Sequence, residues 1–243
     1  MVEKHNPLEQ FEIQTLIPIR LGSLDISFTN SSAFMVLAVA AVAIIMILAV
    51  RPRASIPGRW QILAELSYEF IARLVSDNIG KDGRPYFSFI FTIFMFVLFG
   101  NFLGTLPYSF PFTSHIAVTL SMALVIFVLV TVIAFFRHGT RFFSFFLPAG
   151  VPIFLAPLMI VIEVISYFTR PFSLSIRLFA NMMAGHTLLK VVGGFVFPLG
   201  ILGFVPLAGL VAITGLEFLI AFLQAYIFTI LTCIYINDAI NLH

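Results

Sequence analysis

Charge is scarce in this chain. Only 10% of its 243 residues are Asp, Glu, Lys or Arg, while 60% are hydrophobic. That is too little charge to cover a water-soluble domain of this length. With a mean hydropathy of +1.09, the composition is that of a polytopic membrane protein. Cysteine is nearly absent too. The single Cys233 excludes an internal disulfide and reads as a small packing residue. Metal-ligand clusters are missing as well. His186 and Glu217 supply too few ligands, and His5, His115, His138 and His243 fall at loop or terminal positions. Haem would require histidines paired on facing helices, which these positions do not offer. No cofactor is expected. Net charge is only +2, and no nucleic-acid partner is expected. The N-terminal MVEKHNPLEQFEIQTLIPIRLG has neither the order of a cleaved signal nor the Arg/Ser-rich look of a transit peptide. The first apolar run is therefore expected to direct insertion.

What is present is a series of oily segments. Residues 33–50, AFMVLAVAAVAIIMILAV, are just long enough to cross a bilayer. Residues 59–76 place Leu63, Leu66, Phe70 and Leu74 at helical spacing beside Glu65, Glu69 and Arg73. This pattern predicts an amphipathic helix on the membrane surface. DNIGKDGRP (77–85) is a turn-rich break. Two further spans, 86–106 and 116–136, form a membrane hairpin across PYSFPFTSH. Basic residues gather at 51–84 (Arg51, Arg53, Arg59, Arg73, Lys81, Arg84) and at Arg137 and Arg141. Both clusters are thus predicted on the matrix or cytoplasmic side, with the N-terminus opposite. Neither internal repeats nor low-complexity segments are evident.

The last hundred residues differ. Runs from about Pro152 to Lys190 and from about Pro206 to Asn237 contain no clear turn, and Gly193, Gly194, Pro198, Gly200 and Gly203 punctuate the stretch between them. A helix of about 38 residues is about 57 Å long, against a hydrocarbon core of about 30 Å. Glu163, Ser166, Arg170, Ser173, Arg177 and Asn181 follow one helical stripe through Arg170-Pro171. A reverse turn at Pro171 would break that phase. The expected fold class is therefore an all-α integral membrane protein. It has upright spans, one amphipathic surface helix, and a pair of long, steeply inclined helices over 150–190 and 204–240, all in one membrane domain.

An arginine in such surroundings is costly, about 2.5–3.5 kcal/mol at a helix centre on insertion scales. Arg177 stays protonated, so it suits a fixed charge and not a proton carrier. Its counter-charge is left open by the residues alone. Glu163 is fourteen residues away on the same helix, about 21 Å, and out of reach. Glu217 on the last helix could pair with it, or the side chain could snorkel, or the partner belongs to another subunit. Ser173, Ala180 and Ala184 keep this helix slim, which suits close approach of a helix from this chain or another. Glu163 and Glu217 can bind and release a proton, and His186 titrates near neutrality by nature. His186 also fits a hydrogen-bonded structural role. Glu217 and Gln224 lie seven apart on one face of the last helix, with Tyr235 three turns further on.

RPFSLSIRLFANMMAGH (170–186) and LEFLIAFLQAYIFTILTCIYINDAINLH (216–243) closely resemble subunit a of the F-type ATP synthase, as do FFLPAGVP (145–152) and NPLEQFEI (6–13). The wording RLFANMMAGH and YINDAINLH looks most like the mitochondrially encoded subunits of plants and protists, as does histidine preceding glutamate in the pair His186 and Glu217. The resemblance implies a stator facing a ring of small rotor subunits, beside a peripheral stalk and other stator subunits. Its place would be the mitochondrial inner membrane, or alternatively a bacterial plasma membrane. Arg177 matches the family's essential arginine, opposed to a ring carboxylate. Glu163 matches the half-channel on the matrix side, and His186 with Glu217 the half-channel on the other. Asn181, Gln224, Ser173 and Tyr235 match polar positions along the path. The subunit so implied is non-catalytic.

Two rivals remain. An ion-coupled secondary transporter also buries charge at mid-membrane, but it typically carries internal repeats. A structural subunit of a respiratory complex would use its buried charges for assembly alone.

Overall fold

The structure is a computed structural model that describes residues 11–21, 24–25, 27–50, 58–106, 109–139, 142, 146 and 154–241. Arg51, Arg53, Arg141 and the segment FFLPAGVP fall wholly or almost wholly outside them, as do residues 6–10 of NPLEQFEI.

Helices dominate. They are α1 (Asn30–Val50), α2 (Arg59–Ile79), α3 (Phe87–Gly104), α4 (Ile116–His138), α5 (Ala156–Gly194) and α6 (Phe204–Ile240). Among the described residues, five helical stretches are long and apolar enough to cross a membrane: 30–50, 59–104, 116–138, 156–194 and 200–240. In lipid every backbone polar group must be satisfied within the chain, which is why an oily sequence resolves into helices. Strands, which the sequence did not suggest, occupy the N-terminal segment. Strands β1 (Thr15–Ile17) and β4 (Phe28–Thr29) pair antiparallel around a tip that pairs β2 (Arg20–Leu21) with β3 (Leu24–Asp25). Asn30 ties this hairpin to the start of α1, since its Oδ1 accepts from the Gln14 amide at 3.2 Å.

The break at 77–85 is tighter than a loop. Gly80, at φ 76°, stops α2 in the left-handed region that glycine tolerates, and a 3₁₀ turn over Gly80–Tyr86 leads straight into α3. The packed face of α2 is Ala64, Ile71, Leu74, Val75 and Ile79. Of the expected apolar stripe only Leu74 is buried, while Leu63, Leu66 and Phe70 are exposed. The helix thus has two apolar faces, one packed on the protein and one left for lipid.

Helix α6 is the hub. Its buried Ala225, Phe228, Cys233, Ile236 and Ala239 share one core with Ile71 and Leu74 of α2, Ile90 and Phe94 of α3, Ile126 and Val130 of α4, and Leu174 and Leu178 of α5. Cys233 is fully buried and free, as its packing role requires. Two hydroxyl pairs join α4 to α5: Thr119 with Ser175 at 3.0 Å, and Thr131 with the Tyr167 hydroxyl at 2.7 Å. At one end of the bundle Arg137 pairs with Asp82 at 3.2 Å. The end of α4 therefore meets the turn between α2 and α3.

Helix α5 runs unbroken through Pro171. Proline has no amide hydrogen to give the carbonyl of Tyr167, but a single missing bond is tolerated inside a packed membrane helix. The described helix spans Ala156–Gly194.

Candidate functional site

The site lies between α5 and α6. One face of α5 packs inward through Tyr167, Pro171, Leu174, Ser175, Leu178, Met182 and His186. The polar stripe runs beside that face. Ser173, Arg177 and Asn181 are exposed, and Glu163 is half-buried. Ala180 and Ala184 lie open on the same side, so the surface around the arginine is low and accessible. Among the described residues, Arg177 and Glu163 make no hydrogen bond and no ion pair.

Two pairs bridge the helices. Asn181 Nδ2 donates to Gln224 Oε1 at 2.9 Å, and Gln224 is only 2% exposed. One turn beyond Asn181, His186 Nε2 approaches Glu217 Oε1 to 3.6 Å, with the two residues 8% and 3% exposed. That distance is too long for a hydrogen bond. Among the described residues, His186 Nε2, both carboxylate oxygens of Glu217 and Gln224 Nε2 are buried without a hydrogen-bond partner. Buried polar atoms are normally satisfied, often by water, so this seam is polar enough to hold water. Gly185 makes the approach possible. A Cβ there would lie 2.8 Å from Glu217 Oε1.

Tyr235 belongs to a different cluster. The Arg170 guanidinium lies 5.3 Å from the Tyr235 ring centroid and 5.6 Å from that of Tyr167, and it pairs with Asp238 at 3.2 Å. Two cavities of ≈ 10 Å³ each are lined by Tyr167, Arg170 and Tyr235, about the volume that holds one water. The tyrosine thus packs with Arg170 of the polar stripe and with the Arg170–Asp238 pair.

The sequence reading missed two members of this polar interior. Asp238 lies within the quoted ending but was not singled out, although Arg170 on the stripe called for a partner. Asn101 of α3 is fully buried and donates from Nδ2 to the Ala221 carbonyl at 3.3 Å, leaving its Oδ1 unpartnered. A lone amide in the span FMFVLFGNFLG was the signal that could have found it. Among the described residues no three His, Cys, Asp or Glu side chains gather as metal ligands.

The profile of the family "ATP synthase A chain" matches residues 32–237. The chain is 60% identical to ATP synthase subunit a of Paramagnetospirillum magneticum, over 98% of this chain and 99% of that protein. It is 56% identical to ATP synthase subunit a of Pelagibacter ubique, over 98% of each chain. It is also 56% identical to that of Rhodospirillum rubrum, over 98% of this chain and 100% of that protein. These relatives are bacterial, which does not support the expected mitochondrial type and favours the bacterial plasma membrane, the alternative, over the mitochondrial inner membrane. An imidazole facing a carboxylate across two helices works in either chain order, so histidine-first does not fix the lineage. Over almost its whole length, the chain belongs to the ATP synthase A chain family.

Proposed function

We propose that this chain is the proton-translocating stator subunit of an F-type ATP synthase in a bacterial plasma membrane, where Arg177 separates two offset half-channels. The observation that carries this reading is an exposed arginine on α5 with no counter-ion among the described residues. A charge of that kind within lipid requires a carboxylate from a neighbouring subunit. The low surface of Ser173, Ala180 and Ala184 leaves room for a rotor helix to pass. At 39 and 37 residues, α5 and α6 exceed the bilayer when upright, and they lie steeply inclined along the ring. The whole chain forms one membrane domain, with its N-terminus on the periplasmic side. Other stator subunits and a peripheral stalk hold it against the rotor.

The proton path follows from these positions. A proton enters past His186 and Glu217 and neutralises a ring carboxylate, which can then move into lipid. A carboxylate arriving from the other direction meets Arg177, which favours the ionised form and drives the proton off towards Glu163. The same guanidinium repels any proton crossing directly between the half-channels. Asn181 and Gln224 hold the floor of this crossing rigid through their hydrogen bond, and Ser173 and Tyr235 line the side towards Glu163. Each proton releases about 2.3 kcal/mol per 100 mV of membrane potential. That energy turns the rotor only when the direct leak is closed. The chain itself catalyses no bond change.

Replacing Arg177 with Ala tests this reading. Coupled ATP synthesis in inverted vesicles is expected to vanish while the complex still assembles. Normal synthesis would overturn the role of Arg177, and loss of the assembled complex would favour a purely structural one.

A further inference from the structure

A segment outside the long helix pair also reaches the acid–imidazole pair. Phe11 is half-buried, and its ring stands edge-on to the His186 imidazole, with centroids 6.4 Å apart and planes at 77°. The residues that follow Phe11 are pinned. Asn30, at the start of α1, donates from Nδ2 to the Glu12 carbonyl at 3.1 Å and accepts at Oδ1 from the Gln14 amide at 3.2 Å. Its own amide donates to the Gln14 carbonyl at 3.0 Å. Beyond them, Thr15–Ile17 pairs with Phe28–Thr29. One amide side chain thus holds residues 12–14 by both of its polar ends and aims the preceding ring at His186.

The target of that ring is a place where water matters. His186 Nε2 and both Glu217 oxygens lack a hydrogen-bond partner among the described residues, so water is the group that would satisfy them and carry a proton between them. An apolar ring laid against the imidazole narrows the route of arrival.

We propose that residues 11–17 form a strap, clamped by Asn30, whose Phe11 ring restricts the access of water and protons to His186 and Glu217. The proposal rests on the reading of that pair as a stage of the proton path. Phe11 acts here through position, by covering one side of His186, and not by exchanging protons.

The test uses the assembled complex in membrane vesicles. Diethyl pyrocarbonate modifies accessible imidazole nitrogens, and peptide mass spectrometry reads His186 against His138 in the same digest. In the unaltered protein His186 is expected to react slowly. Phe11→Ala and Asn30→Ala should each raise its rate about fivefold or more, the signature of a local opening, and Phe11→Trp should keep it slow. Asn30→Ala touches neither His186 nor Glu217, so the test stands even where Phe11→Ala fails to assemble. With the soluble ATPase head removed, passive proton conductance should rise about twofold or more in the same variants. Unchanged labelling in Asn30→Ala would overturn the strap. Faster labelling with unchanged conductance would overturn its control of proton entry. If His186→Ala conducts and couples normally, the failure lies with the proton path and not with the strap.

Discussion

Arg177 keeps its proton at any pH a cell reaches, so its contribution must come from where its charge is held. Beside it, Ile176 and Phe172 face outward, and no acidic side chain of the described chain turns towards it. The opposite condition holds at Glu217, which is buried and close to His186 only because residue 185 has no side chain. Gly185→Ala places a methyl group 2.8 Å from the Glu217 carboxylate, which must then shift. Proton-driven ATP synthesis is expected to fall about tenfold, less than the roughly hundredfold that a full ångström of misplacement can cost, because the flexible end of Glu217 takes up part of the shift. Gly209→Ala, where nothing lies within 4 Å, is the matched control and should behave as the unaltered protein. Equal synthesis in the two variants would show that the carboxylate has room to spare. Asn181→Ala tests the other bridge. It leaves the buried Gln224 amide without its partner, at a cost of about 1–3 kcal/mol. The expected result is a lower thermal midpoint of the complex, with transport impaired less than in Arg177→Ala. Legibility at this scale followed cost. Arg177, Asn181, His186, Glu217 and Gln224 stand out in an apolar sequence because each is expensive there. Asp238 did not stand out, because the arginine that needs it lies 68 residues away and no periodicity connects them.

At the scale of elements, the long helices follow directly from the sequence, and the N-terminal hairpin does not. Unbroken apolar phase through Pro171 was enough to join the two halves of α5, and helical spacing on α6 put Glu217 and Gln224 on one side. Two- and three-residue strands leave no alternation long enough to detect, and the clamp that fixes them is a single asparagine. The orientation of α2 was also hidden. Apolar residues surround much of that helix, so the pattern could not say which face meets protein and which meets lipid. Between α4 and α5 the contact depends on close approach as well as on hydrogen bonds. Ser175 is 1% exposed and faces Thr119. Ser175→Ala should cost only about 0.6 kcal/mol, the usual worth of such a bond in a membrane, whereas Ser175→Leu should prevent stable assembly. Both are read from the yield of intact complex in mild detergent. Similar yields for the two would show that α4 and α5 are free to move apart.

For the whole molecule, the account is a stator whose central charge is completed from outside. Among the described residues five helical stretches are apolar enough to span a membrane, and α6 packs against α2, α3, α4 and α5 in one core. The outer side of α5 is left with an arginine, small residues and no cover. On the proposed function, this is the surface past which the rotor subunit moves. The most direct measurement of this claim is cross-linking within the native complex. With Cys233 replaced by Ser and Ala180 by Cys, oxidation should link the chain to a ring subunit carrying a cysteine next to its carboxylate. A cysteine at Val39, exposed on α1, should form no such product. Cross-links from Val39 but none from Ala180 would contradict the account, because the ring would then pass a face of the protein that holds no arginine.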